Sequence, residues 1–286
     1  MNIMAYIQLI RPVQWLKNLM ILFPPFLGGA LLDPGVLAKS FVPVLSFCLA
    51  SSSSYILNDI LDAENDALHP TKKQRPVASG KVNKRVASTL AFLLMFASLV
   101  LGYQVSIVFL LLLVAYLSIS ILYSLKLKEF PIIDIFCISA GFLFRLFAGA
   151  ETFGIVVSEW LFLSVFLLAI FLSTGKRLGE KTMLGKGAGA HRKSLLDYPD
   201  GFLDGTMYIT GAAVLVTYTM YVITRQTIVY TVPLCLFGLL RYIFLVKSGK
   251  SGDPTESLCK DKVLFVVGII WVIMVGWSLY GRRYFA

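Results

Sequence analysis

The chain has 286 residues, 57% hydrophobic and 15% charged, with a mean hydropathy of +0.78, which excludes an ordinary soluble domain. Its formal net charge of +10 would suit nucleic acid, but anionic headgroups and a polyphosphorylated substrate account for it in a chain this apolar, so no nucleic-acid partner is expected. The expectation is an all-α, multi-pass membrane protein in which residues 1–286 form a single transmembrane domain.

Apolar stretches of roughly 17 to 25 residues, the length that crosses a bilayer, lie near 16–33, 38–60, 86–103, 105–124, 130–150, 156–174, 205–224, 227–247 and 262–281, about nine in all. The first is interrupted by Pro24-Pro25 and Gly28-Gly29, breaks that a membrane tolerates when neighbouring helices re-satisfy the backbone. Asp33-Pro34 follows it without a small-x-small cleavage site, so it is expected to remain as a helix and not to be removed as a signal peptide.

Lys and Arg fall mainly on one side of these spans: Arg11 and Lys17, then Lys72 to Arg85, Lys126 and Lys128, Lys176 to Lys193, and Lys247 to Lys262. The other side holds Lys39, Arg225, Arg282 and Arg283. Because positive residues are retained in the cytoplasm, the N-terminus and the basic loops are expected there and the C-terminus outside. Cys48, Cys137, Cys235 and Cys259 stand singly with no C-x-x-C pair and read as small packing residues.

Two cytoplasmic loops are long, 62–85 and 175–204, and function is expected in them. At the start of the first, Asn58, Asp62 and Asp66 recur at i, i+4 and i+8, with Asp59 beside them. On a helix this spacing gathers side-chain oxygens on one side. Unscreened carboxylates would repel one another, and a hard cation such as Mg²⁺, ligated by Asn58, Asp62 and Asp66 and shared with substrate phosphates, removes the repulsion. Lys72, Lys73 and Arg75 follow within ten residues and suit the remaining phosphate oxygens.

The second loop carries Lys176, Arg177 and Glu180, then Asp197, Asp200 and Asp204. Those aspartates repeat the 3-then-4 spacing of Asp59, Asp62 and Asp66, which hints at two related halves, but spacing alone does not make them a second acidic site. Pro199-Asp200-Gly201 would break a helix there, and Asp204 near the start of the seventh span is equally explained as a favourable charge at a helix N-terminus. Gly185, Gly187 and Gly189 lack the strand and Lys-Ser/Thr end of a phosphate loop and read as flexible chain. Residues 248–256 form a turn-rich connection that could border the site, although nothing in their spacing demands a ligand.

Ionisable groups at membrane depth are functional candidates by default. Asp134, near Lys126 and Lys128, is expected at the cavity. Arg145 and Arg241 fit a structural partner or an interfacial position as well as substrate contact. Tyr123 and Ser124 precede Lys126 and could supply hydrogen bonds. His69 and His191 have no metal-ligand company, and His69 is assigned at most a supporting contact to phosphate.

Asn58-Asp59-x-x-Asp62-x-x-x-Asp66 after the second span resembles the first aspartate-rich motif of the UbiA superfamily of intramembrane prenyltransferases. The resemblance extends over nearly the whole chain. It includes Arg11-Pro12-x-Gln14-Trp15-x-Lys17-Asn18, His69-Pro70-x-Lys72-x-x-Arg75-Pro76, Tyr123-Ser124-x-Lys126-x-Lys128, Gly141-Phe142-x-x-Arg145, Lys176-Arg177-x-x-Glu180, Tyr198 with Phe202-Leu203-Asp204, and Gly252-Asp253-Pro254-Thr255-Glu256. It implies about nine helices around a central cavity that binds Mg²⁺ and a diphosphate. Where an aromatic prenyltransferase carries a second Asp-x-x-x-Asp motif, this chain has Lys176-Arg177-x-x-Glu180. Cations there suit a ribose 5-phosphate or a lipid phosphate better than a second metal cage, so the chain looks most like the phosphoribosyl-transferring branch.

What that resemblance implies is a Mg²⁺-dependent pentosyltransferase of a bacterial-type plasma membrane. It would move 5-phosphoribosyl from phosphoribosyl diphosphate to a polyprenyl phosphate, as in making cell-wall precursors, and release diphosphate. Asn58, Asp59, Asp62 and Asp66 would stabilise the leaving group. Lys17, Lys72, Lys73, Arg75, Tyr123, Lys126, Asp134, Lys176, Arg177 and Glu180 would bind the substrates. The alternative is transfer of an isoprenyl chain from its diphosphate to an aromatic acceptor. An organic-anion transporter fits less well, because transporters place such groups near the bilayer midplane and these cluster at one edge.

Overall fold

The computed structural model describes residues 3–68, 71–184, 194–225, 228–250 and 252–281, and all regular structure among them is helical. Helix α1 (Ile3–Ile10) leads through Arg11, at φ 54, into a 3₁₀ run over Pro12–Leu22 and a short α2 (Phe23–Leu27). Eleven residues rising about 2.0 Å each and five rising about 1.5 Å give roughly 30 Å, the thickness of the hydrocarbon core. The interrupted first stretch therefore reaches across as a broken rod and not as one helix. One end of this rod meets Asp59 through Arg11, 2.5 Å away. At the other end the carbonyl of Phe26 accepts from the Tyr280 hydroxyl at 3.0 Å.

Eight further helical segments among the described residues are long and apolar enough to cross a membrane, which bears out a count of about nine. They are built on α3 (Pro34–Leu61), α5 (Lys84–Val105), α6 (Ile107–Leu125), α7 (Ile133–Phe153), α8 (Glu159–Leu184), α10 (Phe202–Thr224), α11 (Val232–Lys247) and α13 (Lys262–Gly276). Shorter helices sit at the polar end: α4 (Ala63–Leu68), α9 (Ser194–Asp197) and α12 (Pro254–Lys260). Several starts are legible in the chain. The Asn83 side chain accepts from Arg85 N–H at 2.8 Å, Ser106 from Phe109 at 3.0 Å and Asp261 from Leu264 at 2.8 Å, each satisfying an orphan amide of the first turn.

Lipid is as apolar as leucine, so hydrophobicity does not drive helices together; small residues and hydroxyl-to-backbone hydrogen bonds do. The serine-rich face of α3 supplies both. Ser46 and Ser53 donate to the carbonyls of Ser98 and Ala91 on α5, each at 2.8 Å, and Ser52 donates to Ile10 at 2.8 Å. Gly149 of α7 lies so close to the 3₁₀ run that a Cβ there would stand 2.1 Å from the Ile21 carbonyl oxygen. Large apolar side chains such as Phe41, Phe92 and Ile209 remain exposed on the outside, where lipid is their solvent.

Both expected loops are shorter than their sequence limits. Residues 63–68 of the first are α4, and α8 continues to Leu184, ten residues past the apolar run. Its charged continuation stays helical because Arg177 and Glu180 pair one turn apart. Gly185, Gly187, Gly189, His69 and His191 lie outside the described residues.

Candidate active site

A cavity of about 400 Å³ opens at the polar end of the bundle. The end of α3 contributes Asn58 and Asp62, the 3₁₀ run contributes Gln14 and Lys17, α6 contributes Tyr123, and α8 contributes Lys176, Arg177 and Glu180. Lys72 and Arg75 reach in from the segment after α4, and Arg11, Arg145 and Asp253 complete the charged lining. Seven basic side chains face three acidic ones among the described residues, so the space favours polyanions.

Backbone bonding runs through the junction of α3 and α4: Asp62 N–H donates to Asn58 at 2.9 Å, and Asp66 N–H to Asp62 at 2.8 Å. The i, i+4, i+8 stripe is therefore continuous in backbone. The side chains divide. Asn58 and Asp62 face the cavity, whereas Asp66 is buried and accepts from Arg75 at 2.6 Å. Asp59 is 1% exposed and lies between Arg11, at 2.5 Å, and Arg75, at 3.2 Å. Its Oδ2 is buried with no hydrogen-bond partner among the described residues. Asp62 pairs with Lys128 from the turn after α6.

This donor set suits a hard cation in part. Asn58 and Asp62 offer oxygens to a cavity, with Asp66 one turn away, and magnesium commonly takes one or two carboxylates and fills its shell with water and phosphate. Among the described residues no three His, Cys, Asp or Glu side chains group as a metal site on their own. The corner thus fits a cation that phosphate helps to hold, and the closed carboxylate cage expected from the spacing gives way to carboxylates already partnered by Arg and Lys.

The opposite wall is built differently. Arg177 is 1% exposed; its Nε donates to Asp134 at 2.5 Å, Nη1 to Glu180 at 2.8 Å and Nη2 to the Tyr123 hydroxyl at 2.8 Å. A buried guanidinium is tolerated because its donors are met by fixed acceptors. Asp134 also accepts from the Tyr198 hydroxyl at 2.7 Å, and that hydroxyl accepts from Ile132 N–H at 2.6 Å. Burial and the Asp134 bond push the Tyr198 hydroxyl well above its ordinary range. Beside this clamp, Lys176 pairs with Asp253 at 2.9 Å. Burial alone would raise the Asp253 carboxyl, but the charges of Lys176 and Lys17, with hydrogen bonds from Lys176 and the Glu256 amide, hold it well below the carboxylate range. Gly179 and Gly252 permit this approach, since a Cβ on Gly179 would lie 2.7 Å from the Gly252 Cα.

Deeper in, Arg145 donates to Asn18 at 2.8 Å, the Gly141 carbonyl at 2.7 Å and the Tyr116 hydroxyl at 3.1 Å. All three acceptors are neutral.

The structure thus gathers Lys17, Asn58, Asp62, Lys72, Arg75, Tyr123, Lys176, Arg177 and Glu180 on one cavity. Asp59 and Asp66 lie behind it, Asp134 is buried beneath Arg177, and Lys73 and Lys126 are exposed outside it. Asp197, Asp200 and Asp204 do not assemble: Asp200 pairs with Lys181 and Asp204 with Lys247, and Asp204 falls in the first turn of α10. Reading by spacing missed Arg11, Lys128 and Asp253. Asp253-Pro254 carried a signal, that of a helix start, and its side chain does cap α12; the chain does not reveal that the same carboxylate also meets Lys176.

The model of the UbiA prenyltransferase family matches residues 22–269. The chain belongs to that family. It is 32% identical to a decaprenyl-phosphate phosphoribosyltransferase of Mycolicibacterium smegmatis, over 96% of this chain and 92% of that protein. It is 31% identical to the protein of that name from Mycobacterium tuberculosis, over 94% and 92%. A UbiA homolog from Archaeoglobus fulgidus, solved with GPP and Mg²⁺, superposes with a TM-score of 0.75 at 21% identity, covering 97% of this chain and 99% of the other. That likeness establishes the shared fold.

Proposed function

We propose that this integral membrane protein transfers 5-phosphoribosyl from phosphoribosyl diphosphate to a polyprenyl phosphate and releases diphosphate, with the cavity facing the cytoplasm of a bacterial-type plasma membrane. The observation that carries the reading is the make-up of the cavity: one corner offers the oxygens of Asn58 and Asp62 to a metal-bound diphosphate, and basic side chains outnumber acidic ones in the lining as a whole. The mycobacterial relatives, named for this transfer, support it. Positive loops on the cavity side support the orientation.

Magnesium held by Asn58 and Asp62, with Asp59 and Asp66 behind them, would neutralise charge on the departing diphosphate. Arg75 and Lys72 border that corner and would bind its outer oxygens. Lys17, Arg145 and Lys176 are basic groups elsewhere in the lining, suited to the other phosphates. The C1–O bond to diphosphate breaks with its electron pair leaving on oxygen, and a lipid phosphate oxygen forms the new bond to C1. A phosphate monoester is already anionic near neutral pH, so no general base is required. Positioning and leaving-group stabilisation carry the rate.

Purified protein given Mg²⁺, labelled phosphoribosyl diphosphate and a polyprenyl phosphate should form a lipid heavier by one phosphoribosyl group. Consumption of an isoprenyl diphosphate with phosphoribosyl diphosphate untouched would overturn the reading.

A further inference from the structure

At the acidic corner three carboxylates, Asp59, Asp62 and Asp66, face three cations, Arg11, Arg75 and Lys128, within salt-bridge distance. The corner is locally neutral. Asp59 and Asp66 lie behind the cavity, 1% and 6% exposed, but the Asp62 carboxylate is 22% exposed and faces it. Lys128, 13% exposed, covers this one accessible carboxylate. Its backbone is fixed, because it sits in the 3₁₀ turn Leu127–Glu129 and its carbonyl accepts from Ser194 at 3.0 Å. Its ammonium is not fixed in the same way, since a four-carbon stem lets it leave while the backbone stays.

A free divalent cation approaching Asp62 would have to evict an ammonium inside a cavity whose lining carries an excess of positive charge. Neither step is favourable by itself. A metal–diphosphate complex reverses the balance: it is anionic, so the positive lining attracts it, and it delivers to Asp62 a divalent charge stronger than the ammonium it displaces. We propose that Lys128 is the resident counter-ion of Asp62 and that the divalent cation enters this corner as a metal–diphosphate complex, which displaces the Lys128 ammonium. Metal and diphosphate are then coupled ligands, and each tightens the other by the same factor. This inference rests on the proposed diphosphate corner.

The test uses the full chain in detergent, Mn²⁺ as the metal and inorganic diphosphate as the anion, with protein-bound amounts of both measured by equilibrium dialysis. Mn²⁺ alone should bind weakly and tighten about tenfold or more with diphosphate, within the usual range of coupling between sites. Lys128→Met should tighten Mn²⁺ binding without diphosphate by about tenfold, the lower scale on which outer partners move metal affinity, and shrink the coupling. Lys128→Arg should retain it. Equal Mn²⁺ affinity with and without diphosphate in the unaltered chain overturns the inference while leaving the diphosphate corner standing. A folded Lys128→Met that binds Mn²⁺ only as tightly as the parent overturns it in the same way. Failure of diphosphate to bind under any condition overturns both.

Discussion

The acidic corner and the Arg177 wall face each other across one cavity and solve the problem of charge at a membrane edge in opposite ways. At the corner, Asp62 is partly exposed and paired with a flexible lysine from a neighbouring turn. At the wall, Arg177 is 1% exposed and its donors meet Asp134, Glu180 and Tyr123, with Tyr198 bracing Asp134 from behind. The corner can exchange partners; the wall cannot without leaving a buried charge unmet. Exchange suits a metal and leaving group that arrive and depart each turnover, and rigidity suits a surface that holds reactants in register.

Breaking the wall should be the costliest change. Arg177→Met leaves Asp134 buried without its ion partner, and such breaks cost about 3 to 5 kcal/mol; a thermal melt in detergent should show a large fall, and an unchanged melt would mean that the wall is not a clamp. Asp62→Asn, at the exchangeable corner, should spare the melt and the helical circular dichroism while lowering turnover by about 10² to 10³-fold, the scale of one lost leaving-group stabiliser. Tyr198→Phe sharpens the comparison, since removing one buried hydrogen bond to a carboxylate should cost about 1.5 to 3 kcal/mol and slow turnover in proportion to Arg177 displacement, readable as a change in kcat with KM tracking it.

A smaller effect is expected on the acid side. The Asp253 carboxyl is held below its ordinary value in the folded chain, so it stabilises the fold fully above about pH 4, the unfolded value, and that contribution disappears as pH falls through the lower folded value. Asp253→Asn should flatten this part of the melting-temperature profile below about pH 4, and an unaltered slope would count against the Lys176 pairing. Least of all, Asp200→Ala should change neither melting nor turnover, because Asp200 is fully exposed and its pairing with Lys181 is screened by water; a measurable loss would revive the idea of a second acidic site.

Much of the corner is legible in the chain itself. Asn58, Asp62 and Asp66 share a helical stripe because their spacing matches the helix period, and the structure carries this period through the break at Asp62. The parallel spacing of Asp197, Asp200 and Asp204 misleads, because Gly201 adopts φ 78 and turns the chain between the second and third residues. Asp134 is legible as a charge needing a partner. Its partner lies 43 residues away on α8, a separation no local pattern encodes.

Periodicity and composition determined, from the chain alone, that apolar runs cross a membrane and that oxygens and cations gather at one edge, because those are properties of neighbouring residues. Which carboxylate faces the cavity and which is neutralised behind it was decided by tertiary structure. Arg11, Lys128 and Asp253 come from segments distant in sequence from their partners; burial makes the pairing of Asp59 too costly to leave unmade, whereas the partial exposure of Asp62 leaves its pairing exchangeable.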